Sequence, residues 1–229
     1  MVRPMRSHPL ILATLLALAA PATAAAEPTL QPLKPCYVFA KVDPATGAYD
    51  AEYLAVEGGG FTPGGEVTVL VDGTTAARVA ADQSGAVSTS VQAPIQERGE
   101  REFQLSAIDA GGAAVSAFSR VTALKVGARP RTARWKRRVT FRGRGFTMLD
   151  RPVFAHYYRG TRLRRSVRIG RPKGPCGTFE RKRRQFPFKP RSGRWFVRFD
   201  QERAFDFDVE TAYRDLEIFV TRQPRRDRG

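Results

Sequence analysis

The chain contains few of the residues on which catalysis and metal binding most often depend. Of its 229 residues, two are cysteine, two are histidine and three are methionine. One histidine lies in the N-terminal leader, and the other, His156, cannot build a structural zinc site with two distant cysteines. Neither a Gly-x-Ser-x-Gly elbow, nor a phosphate-binding loop, nor a dinucleotide fingerprint occurs. We therefore predict no catalytic residues, no cofactor and no metal.

Long hydrophobic runs are also missing. The longest, residues 10–20, is shorter than the roughly 20 residues that span a bilayer. Two arginines precede it, Pro21 follows it, and residues 24–26 are alanines of the kind that signal peptidase accepts. We predict a secretory signal peptide over residues 1–26 and a secreted protein, extracellular or associated with the cell wall, with no integral membrane span. An uncleaved N-terminal anchor is the alternative.

Helical periodicity with a capping residue is absent, and short alternating segments occur in its place. One of them, residues 66–71, leads into Asp72-Gly73, a dipeptide typical of hairpin turns. About seven such segments between Cys36 and Leu124, with turns every 8–12 positions, are typical of an immunoglobulin-like sandwich. The sequence therefore predicts an all-β fold with two tandem immunoglobulin-like β-sandwich domains after a signal peptide, over residues 27–125 and 126–222, and a flexible tail over residues 223–229.

The second domain is predicted from an internal repeat. Gly60-Phe61-Thr62-Pro63-Gly64-Gly65 recurs 85 positions later as Gly145-Phe146-Thr147, and residues 195–199 correspond to the strand that begins at Phe103. The loop around Gly177 corresponds to the turn at Gly85. The acidic segment 205–210 has no counterpart, so we expect an edge strand or a long hairpin there. Its carboxylates at Asp206, Asp208 and Glu210 favour a solvated face over a Ca²⁺ site.

The Gly-x-Gly-Phe-Thr-Pro-Gly turn, the Val/Thr strand after it and the later Asp-x-x-Gly turn resemble bacterial secreted Ig-like repeats of the IPT/TIG-like kind from high-GC organisms. The resemblance covers residues 52–108 well and residues 137–200 less closely. It implies adhesive, spacing or carbohydrate-adjacent modules on exported or cell-surface proteins, without catalytic residues and without a fixed ligand site.

Charge divides the two halves. Residues 27–125 carry 7 basic and 12 acidic residues, whereas residues 126–229 carry 30 basic and 10 acidic ones, and 26 of those 30 are arginine. A field of this size attracts polyanions, and the arginine fork binds phosphate and carboxylate at two points. The partners that we expect are anionic polymers: teichoic acid, acidic polysaccharide or DNA. Clustering in the sequence selects six residues for anion contact: Arg137, Arg164, Arg165, Lys182, Arg183 and Arg184.

Two other interpretations remain open. Arg138, Arg142 and Arg144 alternate with apolar residues, so the basic residues could be the solvent face of the strands of a purely structural module pair. The aromatic residues among the cations could instead stack on bases in an exported nucleic-acid-binding protein. For His156, a strand histidine with satisfied hydrogen bonds is favoured over a catalytic base.

The two cysteines, Cys36 and Cys176, allow one bridge. Export favours its formation. A linear arrangement of modules would place the two residues tens of ångströms apart, against the roughly 5.5–6 Å between Cα atoms that a disulfide requires. The sequence therefore leaves a disulfide and two buried thiols equally open.

Overall fold

The computed structural model describes residues 27–41, 49–130, 135–207 and 213–221. The predicted signal peptide, the C-terminal tail and the carboxylates of Asp208 and Glu210 lie outside these residues. Within the described part of the chain every regular element is a β-strand, and no helix that could cross a membrane is found there.

The strands of the first module form two sheets. Their bounds are β1 Thr29–Leu30, β2 Tyr37–Lys41, β3 Tyr49–Ala51, β4 Tyr53–Gly59, β5 Glu66–Val71, β6 Thr74–Ala80, β7 Val87–Gln92, β8 Glu100–Ile108 and β9 Ala114–Ala123. One sheet has the order β1-β4-β7 and the other β3-β2-β9-β8-β5-β6. All the pairs are antiparallel except β2 with β9. Apolar residues alternate along β4, β5 and β8 and fill the space between the sheets.

The second module repeats this arrangement. Its strands are β10 Lys125–Arg129, β11 Arg138–Arg144, β12 Val153–Arg159, β13 Arg162–Gly170, β14 Phe179–Arg184, β15 Gly193–Asp200 and β16 Arg214–Val220. The sheets have the orders β10-β11-β14 and β13-β12-β15-β16. In both modules the strand before the Gly-Phe-Thr turn is central in the three-stranded sheet. It pairs with an earlier strand and with the third strand after it, which follows two strands of the opposite sheet. The prediction of an all-β fold with two immunoglobulin-like sandwiches is confirmed.

The duplication extends to individual contacts. The Phe61 amide donates to the Gly85 carbonyl at 3.1 Å, and the Phe146 amide donates to the Gly177 carbonyl at 3.2 Å. Both glycines have positive φ. The correspondence of these turns, read from the sequence with offsets of 85 and 92, is therefore present in the structure.

β2 lies between the two modules and contributes to both cores. Tyr37 and Phe39 pack into the core of the first module, whereas Val38 packs into the core of the second. Opposite faces of a strand alternate residue by residue, so Cys36 shares the side of Val38 and faces the second module. Leu124, between β9 and β10, also belongs to the second core, and its amide donates to the Phe39 carbonyl at 2.7 Å.

This packing brings the cysteines together. Cys36 and Cys176 form a disulfide with their Cα atoms 5.1 Å apart, across 140 positions of sequence. The separation of tens of ångströms expected for a linear tandem is wrong, because β2 places Cys36 against the second module. The described strands begin before Cys36, where the sequence placed the start of the alternating segments, since β1 precedes it.

The acidic segment does not form an edge strand where the structure describes it. Residues 205–207 are irregular and lie in the connection between the antiparallel strands β15 and β16. They therefore belong to a long hairpin, which was the other possibility.

Candidate anion-binding surface

The outer face of the β10-β11-β14 sheet gathers cations from all three strands. The burial of Val139 and Phe141 assigns the inward side of β11, so Arg138, Arg142 and Arg144 point outward. The strand register then places outward residues of β10 and β14 beside them. We call this set the basic face; its members are Lys125, Arg129, Arg138, Arg142, Arg144, Lys182 and Arg184.

The basic face holds seven cations and one acid. Glu180 accepts from the Arg142 guanidinium at 2.9 Å, which raises the pKa of Arg142, first through that hydrogen bond and then through its charge. The other six cations form no salt bridge with an acid of the described residues. Six of the seven are exposed, and Arg144 is half-buried.

The geometry of the sheet arranges these charges as a grid. Outward residues repeat about every 7 Å along a strand, and strands lie about 5 Å apart. Two pairs of cations stand directly opposite each other, Arg138 with Arg184 and Lys125 with Arg144. Like charges placed directly opposite on a sheet are destabilising. A grid of outward cations at this spacing is complementary to an extended polymer with repeated anionic groups.

The six residues selected from the sequence are divided between two surfaces. Lys182 and Arg184 lie on the basic face, and Arg137 directly precedes β11. Arg164 and Arg165 lie on β13 at the edge of the other sheet, where the Arg164 guanidinium is 5.9 Å from the centre of the Phe188 ring. Their role in anion contact stays a prediction.

Arg183 points away from the basic face. It pairs with the inward residue Val139, and its guanidinium donates to the Arg168 carbonyl of β13. Its charge also opposes the effect of burial on Tyr157, whose pKa is raised by burial. Arg183 therefore lies at the side of the sandwich, between the edges of the two sheets.

Sequence reasoning missed five members of the basic face as contact candidates: Lys125, Arg129, Arg138, Arg142 and Arg144. All but Arg138 lie outside contiguous basic runs, and only the pairing of the three strands brings the five together. The alternation of Arg138, Arg142 and Arg144 with apolar residues was the one signal that could have found this face.

The aromatic residues of this module lie elsewhere. Tyr157 and Trp195 are buried in the core. Phe154, Tyr158 and Phe196 are on the outer face of the other sheet, where Tyr158 stacks on Phe196 with ring centres 5.4 Å apart. The outward positions of these three strands hold glycine, threonine or charged residues, so the face offers no ring on which a base could stack.

A polar network lies under the β15–β16 connection. His156, fully buried, accepts from the Ser166 hydroxyl at its Nδ1 (2.7 Å), while its Nε2–H donates to Asp200 Oδ1 (3.0 Å) and to the Glu202 carbonyl (3.1 Å). Because a carbonyl only accepts, these contacts place the ring proton on Nε2. In hydrolase triads Nε2 contacts the nucleophile and Nδ1 contacts the carboxylate. Here the carboxylate lies at Nε2 and the hydroxyl at Nδ1, which is the opposite arrangement. Both ring nitrogens therefore have hydrogen-bond partners, and these bonds link β12 with β13 and β15.

Arg198 fastens the same connection. Its guanidinium pairs with both carboxylate oxygens of Asp215, at 3.2 and 3.3 Å, and donates to the Asp206 and Phe207 carbonyls. Its central carbon lies 3.9 Å from the centre of the Tyr213 ring. Burial lowers the pKa of Arg198, whereas Asp215, Tyr158 and Tyr213 together raise it by more, so the net shift is upward and the side chain stays charged. This guanidinium is therefore occupied within the protein and is separate from the basic face.

Comparisons with known proteins add little to these observations. No family model matches the chain, and no curated protein matches it. Among solved structures, a tandem pair of titin Ig domains is similar over 84% of this chain and 95% of that chain, with 12% identity and a TM-score of 0.27. At that TM-score the likeness carries no weight, and the fold assignment rests on the strand order.

Proposed function

We propose that this chain is an exported, non-enzymatic immunoglobulin-like protein of the IPT/TIG-like kind, whose basic second module associates with anionic polymers of the cell envelope or extracellular space. The basic face is the observation that carries the proposal. Six of its seven cations are exposed, and the described acids neutralise only one of the seven by a salt bridge. The acidic first module serves as a spacer and as the packing partner of the second.

The chemistry of the face favours polymers recognised through charge alone. Five of its seven cations are arginines, which bind phosphate and carboxylate through paired N–H donors. Single-stranded nucleic acid is usually held by aromatic stacking as well as by charge. The polymer class that fits best is therefore a polyol phosphate such as teichoic acid or an acidic polysaccharide, with the DNA backbone as a competitor.

Salt dependence of binding tests this proposal. Affinity for poly(glycerol phosphate), heparin and duplex DNA is measured between about 50 and 200 mM salt. The triple variant Arg138→Gln/Lys182→Gln/Arg184→Gln removes three charges from the basic face. If each contacts an anionic group, the slope of log K against log salt falls by roughly two to three.

The competing surface is tested with Arg162→Gln/Arg164→Gln/Arg165→Gln, which removes three charges from the exposed edge strand β13, where two of the residues selected from the sequence lie. If the basic face is the contact surface, this variant has the smaller effect. It should change the slope by less than about one. An equal loss in the two triple variants would mean that the contact is spread over both surfaces, and a loss confined to the β13 variant would move it to the edge of the sandwich. No salt-sensitive binding by the unmodified protein would favour a purely structural pair of modules, and binding of DNA alone would favour an exported nucleic-acid-binding protein.

A further inference from the structure

A cavity at one end of the basic face has an unusual concentration of positive charge. Its volume is about 1290 Å³, and it is bordered by β10, β11, β14, β16 and the loop after β13. Seven basic residues and two acids line it. Both acids have partners, since Glu180 pairs with Arg142 and Glu217 pairs with Arg194 on β15. The cavity therefore has a surplus of cations.

Lys125 and Arg144 meet at the end of this cavity that lies nearest the first module. They are directly opposite each other on β10 and β11, so their charges repel. The Nε atom of Arg144 is buried and has no hydrogen-bond partner within the described residues. A buried donor without a hydrogen-bond partner costs free energy, so the Arg144 guanidinium lacks a partner that an anionic group could supply.

Arg171 and Lys173 complete the lining from the loop between β13 and β14. The loop is fixed in place: Lys173 and Thr178 exchange two backbone hydrogen bonds of 2.7 Å, and the Cys176 carbonyl accepts from the Gly145 amide at 2.9 Å. Gly145 directly follows Arg144, and Cys176 is held by the disulfide. The backbone of the loop that carries these cations is thus held against the turn after Arg144 before any ligand arrives, which lowers the entropic cost of binding.

We infer that Lys125, Arg144, Arg171 and Lys173 form a discrete pocket for a phosphate group. Several converging cations suit a tetrahedral dianion better than a single carboxylate, because more oxygens and more charge are matched. This inference rests on the proposed function, of which it names one specific subsite. The phosphate can be free in solution or carried by the polymer, and the two sources are separated by the experiment.

The test measures thermal unfolding and calorimetric binding of the protein with inorganic phosphate, with acetate at matched ionic strength as the reference anion. We expect a saturable rise in Tm with phosphate that acetate does not give. In Arg144→Gln the affinity for phosphate should fall roughly tenfold or more, as expected for loss of a charge-assisted contact. Arg162→Gln, outside the cavity, should bind phosphate as the unmodified protein does.

A second readout separates the pocket from a folding defect. Without phosphate, Lys125→Gln should leave Tm unchanged or raise it, because repulsion from Arg144 is removed. Phosphate binding that survives Arg144→Gln, or a Tm rise that is the same for acetate, would overturn the pocket.

Competition experiments with the two polymers identify the source of the phosphate. Free phosphate should compete with poly(glycerol phosphate) and not with hyaluronan, which carries only carboxylates, if the pocket takes a phosphate of the polymer. If it competes with neither, the pocket takes free phosphate. Polymer binding by the same preparation tests the proposed function independently. The phosphate pocket and the polymer-binding function can therefore fail separately.

Discussion

At the scale of single residues, the most constrained positions are two equivalent glycines. A Cβ added at Gly177 would lie 1.9 Å from the Phe146 carbonyl oxygen, and one added at Gly85 would lie 2.3 Å from the Phe61 carbonyl oxygen. The backbone φ angles of Gly177 and Gly85, 58° and 76°, are also ones that residues with a side chain rarely adopt. In each module the loop backbone crosses the Gly-Phe-Thr turn in direct contact, and only glycine permits this approach.

Replacement of Gly177 by alanine should therefore destabilise the second module by about 2–3 kcal/mol, from the clash and the strained φ together. Gly59→Ala is the matched control, since a Cβ there meets nothing within 4 Å and the φ of Gly59 is ordinary. Denaturant unfolding measures the difference. Equal stability of the two variants would show that the loop can move away from Phe146 without cost.

At the scale of elements, strand alternation decides where each arginine goes. The run Arg181 to Arg184 looks like one cluster in the sequence, yet Lys182 and Arg184 face outward while Arg183 lies between the sheet edges. Neighbouring residues on a strand point to opposite sides, so a contiguous basic run never forms one patch on a sheet. Patches form across strands, from residues two apart.

Loops at equivalent positions of the two modules are held by hydrogen bonds from different kinds of side chain. In the first module, Asp109 accepts from the Thr62 hydroxyl at 2.9 Å, and Asp82 accepts from the Ser84 hydroxyl at 2.7 Å. In the second, the amide side chain of Gln201 takes the place of Asp109 and holds both backbone groups of Met148. The contact made by Asp109 therefore depends on carboxylate charge, whereas the contact made by Gln201 does not.

The first module should lose stability in acid. The hydrogen bond from Thr62 lowers the pKa of Asp109, and that from Ser84 lowers the pKa of Asp82. A lowered folded pKa means that the unfolded state binds protons first as pH falls. The stabilisation is therefore present above the unfolded value of about 3.9 and is lost as pH falls through the lower folded value.

Thermal unfolding of Asp82→Asn/Asp109→Asn at about pH 7 and about pH 3 measures this effect. The variant should be less stable than the unmodified protein at the higher pH, and the difference should shrink at the lower one. A constant difference between the two proteins across this range would contradict the charge-dependent role of these turns.

At the scale of the whole molecule, the modules are joined through shared structure. β2 supplies side chains to both cores, Leu124 lies in the second core, and the Cys36–Cys176 disulfide closes the contact across 140 positions. Both cysteines are buried, at 1% exposure each. This arrangement predicts that the two modules unfold in one transition and that the disulfide contributes to the cooperativity of unfolding.

Cys36→Ser/Cys176→Ser should lower the free energy of unfolding by about 2–5 kcal/mol, because the unfolded chain regains the freedom of a long loop. Reducing agent should lower the stability of the unmodified protein similarly and leave the variant unchanged. Two separate unfolding transitions in the variant would show that the bridge couples the modules. No change in the variant would mean that packing at β2 is sufficient.

The sequence by itself determined the all-β class, the duplicated sandwich and the charge difference between its halves. These follow from local patterns: alternation, turn glycines at fixed offsets and the count of acids and bases. Even the correspondence of Gly85 with Gly177 could be read from spacing alone.

Only the tertiary structure decided which cations share a surface and whether the cysteines meet. Lys125 and Arg144 are 19 positions apart and become direct neighbours through strand register, which depends on pairing partners that no local pattern names. Cys36 and Cys176 meet because β2 packs one of its faces on the second core. Both outcomes come from contacts between distant segments, whose energies depend on the packing of the complete fold.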